Sequence, residues 1–117
     1  MRVLLPLLLA AATPALAESQ RDAFTCEVLQ ACVLEESCTD SGPLFGLAFL
    51  GGGLEIEMGG AWFAAAYDGI LRTSAWGHEG QVYQLHITGD AAGVLLRSPE
   101  SGSVGGSALM TFQCSPA

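Results

Sequence analysis

His78 and His86 are the chain's only histidines, and Glu79 lies beside the first of them. Nucleophilic catalysis would need one imidazole brought to a Ser or Cys and oriented by a carboxylate. No Ser stands in a G-x-S-x-G setting, the strained turn that exposes a nucleophile. His78 falls in the Gly-flanked stretch Gly77-His78-Glu79-Gly80, which reads as a solvent-exposed turn. His86 alternates against Leu85 and Ile87 and should face outward from a strand. Glu55 and Glu57 share one face of a strand, about 7 Å apart by strand geometry. That separation lies within the roughly 5–9 Å used in glycoside hydrolysis, but both carboxylates should point to solvent and not into a cleft. No residue is assigned a catalytic role.

The remaining polar and Gly-rich segments read as turns. Gly51-Gly52-Gly53 is followed by no G-K-[ST], and the chain has no Lys at all, so the run is a turn and not a phosphate loop. Asp40, Asp68 and Asp90 fall in turns without the D-x-D-x-D-G spacing of a calcium loop. No metal and no cofactor is expected. Trp62, Trp76 and Tyr83 are candidates for a binding surface, but in a thin core such residues pack. Ser101-Gly102-Ser103, opening the flexible stretch that runs on through Gly106, is the first candidate for a contact site, since exposed loops carry recognition.

Cys26, Cys32, Cys38 and Cys114 make an even count in a short chain, which in an exported protein reads as two disulfides. Three pairings are possible. Cys26–Cys114 with Cys32–Cys38 is favoured, since the first ties the opening segment to the closing one and the second staples a local turn. A zinc site would show paired C-x2-4-C spacing, whereas five, five and seventy-five residues separate these cysteines.

The elements that must position these residues read as strands. From Leu44 onward Gly recurs every eight to twelve residues between alternating apolar runs, the mark of a β-meander. Leu54, Ile56 and Met58 should share one face, as should Tyr83, Leu85 and Ile87, and Ala108, Met110, Phe112 and Cys114. Further strands are expected at residues 44–50, 61–67, 70–76 and 94–98, with Asp68-Gly69 as a two-residue hairpin and 99–106 as a connection. Residues 20–34 are open between two states. Phe24, Cys26, Val28, Gln30, Cys32 and Leu34 alternate as in a strand, while Ser19-Gln20-Arg21-Asp22 resembles a helix capping box; Thr25, Val28 and Val33 favour the strand. The expected fold is all-β: a small antiparallel meander of seven or eight strands, barrel-like with a sandwich as the alternative.

The first seventeen residues form a separate unit. Arg2, an apolar run from Val3 to Ala12 and the Ala15-Leu16-Ala17 exit are the parts of a secretory signal peptide. A transmembrane anchor needs roughly 20 apolar residues, and Pro6 and Pro14 interrupt this run. The sequence thus reads as a signal peptide over 1–17 and a single β domain over 18–117, without a membrane anchor, in the periplasm or secreted. Formal charge is −8 for the chain and −9 for residues 18–117, where Arg21, Arg72 and Arg97 face twelve carboxylates. Nucleic acid is excluded as a partner, because its binding relies on Lys and Arg against phosphates. A cationic protein would be attracted. Absence of Lys and Asn, with abundant Ala and Gly, fits a bacterial gene of high GC content.

Phe24-Thr25-Cys26 near the start of the domain and Phe112-Gln113-Cys114 at its end, with Gly-punctuated strands between, resemble two groups of proteins. One is the small exported proteobacterial β proteins of unassigned function, which carry early clustered cysteines and a final aromatic-x-Cys. The other is the periplasmic C-type lysozyme inhibitor (MliC/PliC) family, small β-barrels with a cysteine near each end that insert a Ser- and Gly-containing loop into the lysozyme cleft. That resemblance implies Ser101 and Ser103 as contact residues; the family's S-G-x-x-Y run is absent here, and no Lys or Tyr follows the segment. The expected function is a non-enzymatic periplasmic or secreted binding module with a protein partner. Its alternatives are a C-type lysozyme inhibitor and a carrier of a small apolar ligand inside the barrel.

Overall fold

A computed structural model describes residues 21–117. The signal peptide expected over 1–17 and the first residues of the capping-box motif lie outside the described residues. The chain forms nine strands: β1 (Asp22–Val33), β2 (Cys38–Thr39), β3 (Leu44–Leu50), β4 (Gly53–Met58), β5 (Ala61–Asp68), β6 (Thr73–His78), β7 (Gln81–Gly89), β8 (Ala92–Pro99) and β9 (Ala108–Pro116). From β3 to β9 each strand pairs antiparallel with the next, and β1 pairs with both β3 and β9. β1 and β3–β9 thereby close into an eight-stranded barrel, with β2 as an extra strand on β1. Closure removes the edges a sandwich would leave unpaired. No helix occurs among the described residues, so the choice left open over 20–34 falls to the strand across Asp22–Val33.

The barrel is threaded up and down by short turns. At Gly51-Gly52, Gly59-Gly60 and Glu79-Gly80 both central residues have positive φ, the two-residue geometry whose twist matches that of the flanking strands. The Asp68-Gly69 hairpin is not formed. Asp68 Oδ1 instead accepts the N–H groups of Ile70 and Leu71 (2.9 and 3.0 Å), and the turn widens to Gly69–Arg72, so β6 begins at Thr73 and not at Ile70. An Asp side chain that caps two following amides stabilises that wider turn.

Alternation places the core as expected over most of the chain. Leu54 and Ile56, Leu85, and Ala108, Met110, Phe112 and Cys114 are buried; Met58, Tyr83 and Ile87 pack against them half-buried. Eight strands leave room for little more than side chains. Phe45 meets Phe112 edge to face at 5.3 Å in the middle of the barrel.

The alternation in β1 breaks at one point. The pairing with β9 shifts register between Val28 and Gln30, a bulge that leaves Leu29 unpaired and 46% exposed. An extra residue in a period-2 strand moves the residues after it to the other face. Ala31 and Val33 therefore join the core, and Cys32 does not share a face with Cys26 as simple alternation predicts.

Both disulfides are formed, Cys26–Cys114 and Cys32–Cys38. Each joins directly opposed residues, Cys26 to Cys114 across β1–β9 and Cys32 to Cys38 across β1–β2. They are consistent with an oxidising compartment outside the cytoplasm.

Candidate functional site

Up-and-down threading sorts the connections onto two ends of the barrel. One end carries the two long connections, 34–43 and 100–107, with the tight turns at 59–60 and 79–80. The other carries the turns at 51–52, 69–72 and 90–91. Ser101, Gly102 and Ser103 lie at the long-loop end, and every residue from Ser101 to Gly106 is exposed.

That loop is tied down at its base. Gly102 N–H donates to Pro99 O (3.2 Å), Ser107 N–H to Val104 O (3.2 Å) and Glu100 N–H to Gly80 O (2.9 Å). Leu34 N–H donates to Ser107 O (2.7 Å), which joins the two long connections. The 34–43 connection is held further by Cys32–Cys38 and by Thr39 Oγ1 donating to Ser41 O (3.0 Å). Backbone bonding of this kind limits the ordering cost that binding imposes on a loop.

Charge is distributed unevenly between the ends. Glu35, Glu36, Asp40, Glu79 and Glu100 are all exposed at the long-loop end, where Arg97 is the cation supplied by the barrel. At the opposite end Asp22, Asp68 and Asp90 stand among Arg21 and Arg72. The field of the long-loop end is therefore the more negative.

Arg97 belongs to no sequence motif, yet the fold gives it a defined place. On β8, Gly93 and Leu95 are buried and face inward, which puts Arg97 on the same inward side at the mouth, paired in register with Tyr83. A shallow cavity of about 190 Å³ opens there, with Arg97, Tyr83 and His78 above Phe45, Leu95 and Met110. The period-2 pattern Gly93, Leu95, Arg97 is the signal that could have found it.

His78 is a correction. It is the last residue of β6, not a turn residue, and is stacked on Phe63 at 5.4 Å with Nε2 3.6 Å from Glu79 Oε2. His86 is exposed on the outer wall as expected. Glu55 and Glu57 face outward and are engaged separately: Arg21 donates to Glu55 Oε1 (3.0 Å), and Gly60 N–H donates to Glu57 Oε2 (2.8 Å).

The aromatic residues divide. Trp76 is buried and stacked on Tyr83 at 5.5 Å, packing as expected. Trp62 is not a core residue: it is 43% exposed and the Arg21 guanidinium sits 4.5 Å from its ring centre, because its position on β5 faces the outer wall. Trp76 Nε1 is the buried side-chain polar atom without a partner among the described residues. No group of three or more His, Cys, Asp or Glu suited to hold a metal occurs among them.

No family model, curated protein or solved structure matches this chain.

Proposed function

We propose that this chain is a non-enzymatic binding module of the periplasm or extracellular space that takes a cationic protein partner at the long-loop end of its barrel. The observation that carries the reading is the coincidence, at one end, of a base-tethered exposed loop bearing Ser101, Gly102 and Ser103 with five exposed carboxylates. Complementary charge steers encounter and raises association rate, while the loop supplies the contacts that define register. The centre of the barrel is filled by side chains, so the protein's recognition surface lies on its ends and outer wall. A C-type lysozyme is the partner suggested by the sequence resemblance.

The test is retention of a C-type lysozyme, or of basic proteins from a periplasmic extract, on the immobilised oxidised protein at low and at high salt. Retention that weakens with salt, and that Glu35→Lys with Glu36→Lys abolishes while Asp22→Lys with Asp90→Lys does not, is the expected result. Equal loss from both double variants, or no retention at low salt, would overturn the proposal. Ser101→Trp with Ser103→Trp should also weaken retention if the loop is the contact.

A further inference from the structure

The second end of the barrel has different chemistry. A cup of about 280 Å³ opens there, walled by Phe24, Phe49, Tyr67 and Ile87 and floored by Phe112. Phe112 is buried, but the four wall residues are only half-buried, although all four pack against the interior of the barrel. The rings form an edge-to-face series: Phe24 lies 6.2 Å from Phe49, and Phe49 lies 5.2 Å from Tyr67. Such a series favours a further ring placed in the same way. Apolar surface left wet inside a concavity is what a ligand of matching shape would cover.

Two charges of opposite sign line the same cup, Arg72 from the β5–β6 turn and Asp90 from the β7–β8 turn. They do not pair with each other: the ion pairs among the described residues are Arg21–Glu55 and His78–Glu79. Both turns are bonded back to the barrel. Arg72, at φ 58°, accepts the Ile87 N–H through its carbonyl (3.0 Å), and Asp68 caps the turn before it. Ala91, next to Asp90 and at φ 55°, accepts the Cys114 N–H (2.6 Å). The rim charges therefore stand on fixed backbone, and a ligand need not order it.

We infer that this cup is a binding site for a small aromatic zwitterion, of the chemical class of a free aromatic α-amino acid. The ring enters the aromatic wall, the carboxylate pairs with Arg72 and the ammonium with Asp90. An aromatic acid without an amine would meet Asp90 as a like charge, and an aromatic amine without an acid would meet Arg72. The cup falls just below the roughly 300–1,000 Å³ of drug-sized sites, which suits one ring. This site is independent of the protein-binding end, and either can fail without the other.

The test is an amide-shift titration of the oxidised protein, produced from the full chain with its own N-terminal segment. The probes are phenylalanine, hydrocinnamate, phenethylamine and glycine. Phenylalanine should shift the amides of Phe24, Tyr67, Ile87 and Ala91, and should bind about tenfold more tightly than either singly charged ring, as one charge-assisted hydrogen bond implies. Arg72→Gln should erase its advantage over phenethylamine, and Asp90→Asn its advantage over hydrocinnamate. No shift at the cup, or equal affinity for the three aromatic probes, overturns the inference. The probe comparison uses the unchanged protein and stands even where a variant fails to fold.

Discussion

Cys26 and Cys114 face each other directly across the β1–β9 seam, the pairing that turns an open sheet into a barrel. The bond spans 88 residues in sequence and leaves Cys26 wholly buried and Cys114 8% exposed. Cys32–Cys38 spans 6 residues and holds the short β2 against β1 at the rim. One bond thus guards the closure of the whole fold and the other a local turn.

Their contributions to stability should differ accordingly. In the chain-entropy account, cross-linking a loop of 88 residues contributes about 4–5 kcal/mol and one of 6 about 2 kcal/mol. Cys26→Ala with Cys114→Ala should cost more than Cys32→Ala with Cys38→Ala in urea unfolding of the two double variants. It also leaves a cavity in the core, which adds to the difference. A larger loss from the shorter bridge would show that the rim, and not the seam, limits folding.

Gly93 should be irreplaceable by Ala. A Cβ there would collide with the His86 carbonyl oxygen on the adjacent strand and lie 2.9 Å from Phe112 Cζ. One partner is backbone and the other a packed ring, so neither yields cheaply. Overpacking of a core typically costs about 1–3 kcal/mol, and Gly93→Ala should reach or exceed that range in denaturant unfolding. Gly89→Ala, where nothing lies within 4 Å, is the control and should change stability by less than about 0.5 kcal/mol.

The two tryptophans should separate in the same assay. Trp76→Ala empties a buried site in the packing of the barrel wall and should cost about 3–5 kcal/mol. Trp62→Ala removes a half-exposed outer ring and its cation–π contact with Arg21, which is worth about 0.5–1 kcal/mol at an exposed site. Loss of fluorescence change on unfolding should follow Trp76 and not Trp62. Comparable costs would mean that the outer Arg21–Trp62–Glu55 cluster stabilises the barrel far more than an exposed pair does.

How much of this was legible in the sequence depends on the range of the signal. Leu54-Glu55-Ile56-Glu57-Met58 carries its own period, and its face assignment needed no other strand. Cys26 and Cys114 sit on strands that open and close the meander, so chain order favoured their pairing among three, and the β1–β9 register settled it. Leu29 was not legible as a bulge, because no residue type announces it; it is defined by where β9 stands against β1. Trp62 was misplaced for a related reason, since a continuous apolar run has no period to say which members point outward.

Residue periodicity and composition by themselves determined the strand content, most of the inward-facing residues, the even cysteine count and the acidic balance, because those depend on neighbours along the chain or on counts. Only the tertiary structure decided that β1 meets β9, that Arg97 and Tyr83 share one mouth while Arg72 and Asp90 share the other, and that five carboxylates gather with the Ser101–Ser103 loop. Those relationships depend on strand direction and register. They join residues that are distant in sequence, and they exist only once the sheet has closed.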